Sequence, residues 1–179
     1  MPKALVFLAD GFEDIEGVAV IDVLRRAGIN VKTVGLVGNI VTSARGVRVY
    51  ADERLIDFDK ASEFDAIVLP GGAVGTENLG KHEKVLRVID DFAKSGKLIC
   101  AICAAPSILA KRGLLKEKRA TIFPGMEKLL DKPRDEAVVV DGNIITSQGP
   151  GTAIAFGLKI VEMLMGPGIS SRLKQDLVA

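Results

Sequence analysis

A chain of 179 residues that is 48% hydrophobic and 26% charged can bury a substantial core, which excludes a disordered segment. Lys and Arg (24) nearly balance Asp and Glu (23), and a formal charge of +1 gives no electrostatic signature for nucleic acid or an anionic membrane. Two cysteines are too few for a disulfide scaffold, and no run reaches the roughly 18 apolar residues of a membrane span.

The N-terminal apolar run at residues 4–9 is too short for a signal peptide, so a cytoplasmic protein with free thiols is expected. That run, ALVFLA, predicts the first strand. Residues 16–27 predict a helix closed by Gly28 just past its end, and residues 30–36 a second strand. Residues 39–56 read as an irregular β excursion with turn signals at Gly38-Asn39 and Gly46. Residues 65–69 form a buried strand stopped by Pro70-Gly71-Gly72. Val85, Val88, Ile89 and Phe92 recur at helical spacing and predict one helix over 81–94. Residues 97–102 make the most apolar, central strand, followed by a helix that runs to Gly113. A short strand is expected at 120–123. Strands at 137–140 and 144–147 flank Asp141-Gly142, a hairpin signal. The last helix begins near Thr152 and should bury Ile154, Leu158, Val161 and Met165.

Short apolar strands alternating with helices specify an α/β fold, and the order here is that of a flavodoxin-like doubly wound sandwich: a mainly parallel sheet with helices on both faces. The whole chain, 1–179, is expected to form one domain. Such folds bind ligands at the carboxyl ends of their strands. Three unusual loops fall at those ends, at residues 10–16, 70–75 and 103–106.

Cys103 ends the central strand and opens a helix, an arrangement like a nucleophile elbow without its G-x-S-x-G pattern. Unpaired N–H groups and positive partial charge at a helix N-terminus favour thiolate over thiol. Small Ala104 and Ala105 leave the sulfur accessible. Cys100 completes a C-x-x-C, but on one strand the two Cα atoms stand about 10 Å apart, beyond the roughly 7 Å that a disulfide spans. The odd spacing also points the two side chains to opposite faces, so Cys100 is expected in the core. Gly71 and Gly72 let backbone N–H groups approach an oxyanion. In the first loop, Asp14 suits a capping role. Glu16, if neutral and turned inward, can donate a hydrogen bond to the sulfur and titrate with it. The only histidine, His82, sits among Lys81, Glu83 and Lys84 and reads as surface. One His and two separated Cys offer no metal set, and no dinucleotide or P-loop pattern is present, so neither metal nor cofactor is expected.

Four segments, Gly11-Phe-Glu-Asp-Ile-Glu16, Leu69-Pro-Gly-Gly72, Ala101-Ile-Cys-Ala-Ala-Pro106 and Thr146-Ser-Gln-Gly-Pro-Gly-Thr152, together resemble the DJ-1/ThiJ/PfpI superfamily, within its DJ-1-like branch. The resemblance implies that Cys103 is a reactive cysteine that oxidises to sulfinate and that Glu16 is the acid bonded to it. It implies backbone donors at Gly72 and Ala104. It places Arg26, Arg45, Ser147 and Pro150 near the pocket or at a homodimer interface. Where many members carry a histidine after the next strand, this chain has Phe123, and where the PfpI branch has a histidine directly after the cysteine, it has Ala104. A Cys-His peptidase pair therefore lacks its base.

The resemblance further implies an enzyme acting on small 2-oxoaldehydes such as methylglyoxal, or on their early glycation adducts. In that reading Cys103 attacks the aldehyde, backbone N–H groups hold the oxyanion, and Glu16 moves the proton. The rival is a sensor of oxidative stress or a redox-regulated chaperone that works through oxidation of Cys103.

Overall fold

The computed structural model describes residues 1–179. Seven strands form one sheet: β1 (Lys3–Leu8), β2 (Asn30–Gly35), β5 (Glu53–Arg54), β6 (Ala66–Leu69), β7 (Leu98–Ile102), β10 (Val138–Asp141) and β11 (Ile144–Ser147). Their spatial order is β10-β11-β7-β6-β1-β2-β5, and every pairing is parallel except β10 with β11. Between them lie a hairpin of β3 (Ile40–Thr42) and β4 (Arg48–Tyr50), and a two-residue pair of β8 (Arg119–Ala120) and β9 (Lys132–Pro133). The helices are α1 (Asp14–Arg26), α2 (Ala73–Lys81), α3 (Glu83–Ser95), α4 (Pro106–Lys111), α5 (Ala153–Met165) and α6 (Pro167–Asp176).

The central strands are apolar without alternation because both of their faces are covered. In β1, Ala4, Val6 and Leu8 join a core with residues of α1, α5 and α6, while Leu5 and Phe7 join a second core with residues of α2, α3 and α4. The sheet is therefore doubly wound, as expected. The chain leaves β1 toward β2 on one side and continues through β6 and β7 on the other. The strand order thus reverses between β1 and β6, where such folds place their ligands.

Several local expectations are corrected. The helix expected over 81–94 is α3, which starts at Glu83; Lys81 instead ends a separate helix, α2, and the two are broken at His82, whose backbone is extended (φ −89°, ψ 110°). Helix α2 starts at Ala73 inside what reads as a loop; its two glycines and short apolar content hide it from a periodicity test. Helix α6 follows what was expected to be the last helix; it is mostly polar and buries only Ser170 and Leu173. Of the strand expected at 120–123, only Ala120 is in a strand, and Thr121 instead donates its N–H to Thr146 Oγ1 at 2.9 Å. In α5, Leu158 and Val161 are buried as expected, but Ile154 is exposed and Met165 is only partly buried.

Candidate active site

The loops that follow β1, β6 and β7 converge at the reversal point. Cys103 comes directly after β7 with a positive φ of 65°, a conformation that a side chain other than glycine rarely adopts. Its backbone is fixed on both sides. The Cys103 N–H donates to the Ser147 carbonyl at 2.9 Å, and its carbonyl accepts from the Phe123 N–H at 2.9 Å. Two fixed hydrogen bonds hold a strained residue in place, a pattern typical of working sites.

This geometry overturns one expectation about the C-x-x-C. The turn at Cys103 ends the strand's alternation, so Cys100 and Cys103 lie in the same core cluster rather than on opposite faces. Both are free thiols.

Glu16 comes from the first turn of α1 and is fully buried. Its Oε2 accepts from the Gly71 N–H at 2.7 Å. Its Oε1 has no hydrogen-bond partner, and the carboxyl's other neighbour is the Cys103 side chain, which lowers its proton affinity. Gly71 is the spacer that makes this meeting possible. A Cβ there would lie 2.5 Å from Glu16 Oε2 and 2.6 Å from Cys103 Cβ. Gly72 has φ 90°, and a Cβ on it would collide with the Gly11 carbonyl. Carboxyl, sulfur and loop therefore pack with no room for a side chain at either glycine.

Electrostatics follow from burial. Loss of solvent raises the Glu16 carboxyl to about 7, against smaller lowering effects from the Cys103 sulfur and the Gly71 N–H. The Cys103 thiol is pushed up to about 12, first by burial and then by the Glu16 charge, while the N–H groups of Gly72 and Ala104 pull it down. Part of the upward push on the sulfur is the charge of an ionised Glu16, so the two groups share their protons: an ionised Glu16 favours the protonated thiol, and a neutral Glu16 removes that push and can donate to a thiolate.

The other candidates fall at different places. Gly72 and Ala104 direct their N–H groups at the sulfur. Gly71 does not, because Glu16 takes its N–H, so it is not free to serve an oxyanion. Ser147 borders the site through its carbonyl; its hydroxyl bonds to the Ala137 carbonyl at 2.7 Å and to Thr152 Oγ1 at 2.6 Å. Pro150 opens the single 3₁₀ turn that follows. Arg45 lies in the β3–β4 turn, which Asp14 ties to the start of α1 through Ser43 Oγ and the Arg45 N–H (3.1 Å). Arg26 is at the far end of α1, about 15 Å along the helix from Glu16, and pairs with Asp22 at 2.6 Å. Within this chain it does not reach the pocket.

Phe123 sits at the rim, 44% exposed, with its ring against Gly149. His82 is not plain surface, since it is partly buried with Nδ1 unpaired, but it is in the α2–α3 break, away from Cys103. Sequence reasoning missed the Ser147 carbonyl and the Phe123 N–H. Both are backbone groups, for which no residue type gives a signal. No cluster of three or more His, Cys, Asp or Glu side chains is arranged to hold a metal ion. No helix is long and apolar enough to cross a membrane.

Comparisons with known proteins place the chain among relatives. A family model described as the DJ-1/PfpI family matches residues 2–163. The chain is 46% identical over 169 residues to protein DJ-1 homolog B of Arabidopsis thaliana, covering 92% of this chain but 38% of that longer protein. It is 37% identical over 179 residues to the glutathione-independent glyoxalase DJR-1.2 of Caenorhabditis elegans, covering 98% of this chain and 95% of the relative. The crystal structure of Drosophila melanogaster DJ-1beta superposes with a TM-score of 0.93 at 42% identity, over 99% of this chain and 98% of that one.

Proposed function

The chain belongs to the DJ-1/PfpI family, and on that premise we propose that it is a cysteine-dependent stress-protection enzyme acting on 2-oxoaldehydes such as methylglyoxal, or on their early glycation adducts, without glutathione. The observation that carries this reading is the Glu16 carboxyl, clasped between the Gly71 N–H and the Cys103 sulfur and raised to about 7. A carboxyl with that affinity for protons gives and takes them near neutral pH, as a general acid and base must.

The steps follow. Glu16 carboxylate takes the Cys103 proton as the sulfur bonds to the aldehyde carbon. The N–H groups of Gly72 and Ala104, which meet the resting sulfur, stabilise the oxyanion that forms beside it. Protonation of that oxygen gives a hemithioacetal. Glu16 then moves a proton from the former aldehyde carbon to the neighbouring carbon by way of an enediol, while the hydroxyl proton passes to the neighbouring oxygen, leaving a thioester of a 2-hydroxy acid. Water cleaves the thioester, frees the thiol and releases the acid. Lactate formation from methylglyoxal tests the scheme: Cys103→Ser and Glu16→Gln should each abolish it, and full turnover in either variant rejects the mechanism.

The rival role, as an oxidation sensor or redox-regulated chaperone, is favoured by one observation. A carboxyl that is neutral below about pH 7 can donate a hydrogen bond to an oxygen added at the sulfur. Mass spectrometry after mild peroxide treatment decides between the two. Oxidation confined to Cys103 with negligible aldehyde turnover supports the sensor.

We propose further that the chain forms a homodimer. Ile15 and Val18 on α1, Val47 in the hairpin turn and Ile154 on α5 are all exposed apolar residues at the end of the sheet where the site lies. Light scattering that gives a 19.0 kDa monomer at every concentration rejects this assembly.

A further inference from the structure

The two flanks of Cys103 differ. Strand β7 lies between β6 and β11, so the residues after β6 border the sulfur on one side and those after β11 border it on the other. The β6 side is closed. Glu16 fills it, and a Cβ added at Gly71 would stand 2.5 Å from the carboxyl and 2.6 Å from Cys103 Cβ. The β11 side is bordered by Phe123-Pro124 and Gly149-Pro150, a rim with no ionisable side chain.

Packing within the chain does not account for Phe123. Its N–H donates to the Cys103 carbonyl at 2.9 Å, and its carbonyl accepts from the Met126 N–H at 3.0 Å, so its backbone is held one hydrogen bond from the nucleophile. The two residues before it are buried, Thr121 at 1% and Ile122 at 2% exposure, whereas Phe123 is 44% exposed. The Cδ2–Cε2 edge of its ring faces Gly149, where an added Cβ would stand 3.4 Å and 3.7 Å from those atoms. The rest of the ring is open. A half-exposed aromatic ring beside a buried reacting group is apolar surface that a ligand can cover. A polar group laid against it would lose water without gaining a hydrogen bond.

We propose, on the aldehyde reading given above, that Phe123 determines the specificity of this site. With the two carbonyl carbons held between Cys103 and Glu16, the substituent on the ketone carbon turns away from the closed β6 side and lies on the Phe123 ring. The preferred substrates are 2-oxoaldehydes with an aryl or branched alkyl substituent, ahead of methylglyoxal and of hydroxylated, sugar-derived 2-oxoaldehydes.

Phenylglyoxal and methylglyoxal, assayed without glutathione for mandelate and lactate, provide the test. Phe123→Ala keeps the backbone N–H that holds Cys103 and removes only the ring. It should lower the phenylglyoxal-to-methylglyoxal ratio of kcat/KM by about tenfold, chiefly through KM, and Phe123→Leu should restore part of the loss. Comparing this ratio between variants cancels the different intrinsic reactivities of the two aldehydes. An unchanged ratio, including an equal fall for both substrates, overturns the proposal and leaves the aldehyde reading standing. A binding measurement covers the case in which the wild type turns over neither aldehyde. Mandelate should protect Cys103 from alkylation by iodoacetamide at about tenfold lower concentration than lactate in the wild type, and at a concentration similar to lactate in Phe123→Ala. That result without turnover upholds the Phe123 wall and rejects the aldehyde reading, whereas equal protection by the two acids in the wild type rejects the wall.

Discussion

Cys100 and Cys103 are three residues apart and belong to the same core, yet only one is a chemical site. Cys100 lies inside β7, fully buried, paired in register with Val68 and Ile145 on either side. Burial alone pushes its thiol well up, and no acid or donor offsets that. Cys103 lies one residue beyond the strand. There the positive φ ends the alternation, two backbone N–H groups meet the sulfur, and a carboxyl stands beside it. Residue type and burial are nearly the same for the two. What differs is that a strand end exposes unpaired backbone groups and a strand interior has none to spare.

The sharpest way to break this contrast is to exchange the sulfurs for oxygen one at a time. Cys103→Ser should reduce aldehyde turnover by about 10³-fold or more, since a serine hydroxyl is far less acidic than a thiol and the Glu16 carboxylate is too weak a base to activate it. Cys100→Ser should leave kcat/KM within about twofold once folded protein is counted. Equal losses in both variants would mean that the strand end is not what sets Cys103 apart. A smaller but still large effect is expected at Gly71. A methyl there must displace either the Glu16 carboxylate or Cys103 Cβ. Misplacement of catalytic groups by about 1 Å costs about 10²-fold, so Gly71→Ala should fall to near 1% of wild-type activity while retaining its far-UV spectrum.

The sequence made the layered fold legible because its strands are apolar runs punctuated by Gly and Pro, as at Leu69-Pro70-Gly71. The three loops of the site followed from the rule that ligands sit at strand ends. What was not legible has physical reasons. Helix α2 owes its position to contacts rather than propensity: Gly75 packs so closely on the Phe12 backbone that a Cβ would lie 2.7 Å from its nitrogen. Helix α6 is polar and holds on by Leu173 and Ser170. The charge state at Cys103 is not legible from a helix N-terminus alone, because burial of the sulfur and the charge of an ionised Glu16 act in the opposite direction. Gly71 was assigned the wrong partner because a glycine signals close approach without naming what approaches.

Glu16 sharpens the comparison through pH. Its carboxyl ionises near 4.5 in an unfolded chain and near 7 in the folded one. Between those values the folded protein holds more protons than the unfolded one, so stability falls as pH rises from about 4.5 and the loss is complete above about 7. The size is about 3 kcal/mol. Urea melts at pH 5 and pH 8 should show that decrement in wild type and its absence in Glu16→Gln, whose amide is neutral throughout. Turnover has the opposite dependence. Because the carboxylate must accept the thiol proton, kcat/KM should rise with pH through about 7. A rate flat from pH 5 to 8 would remove Glu16 as the base even if the stability effect were present.

The smallest effect belongs to Cys100→Ala. Loss of one buried sulfur from a close-packed strand should cost about 1–2 kcal/mol. It should leave the pH dependence of turnover, and the modification of Cys103 by peroxide, unchanged. The two residues are separated by Ala101 and Ile102, both fully buried, so a collapse at position 100 could reach the site through Ile102, whose carbonyl lies against Gly71. The variant therefore measures how rigidly the strand end is held. Retention of activity means that the Ser147 and Phe123 backbone bonds fix Cys103 independently of packing beneath it. A loss of activity larger than the loss of folded protein would mean that the core positions the nucleophile, and the contrast between the two cysteines would then be one of degree.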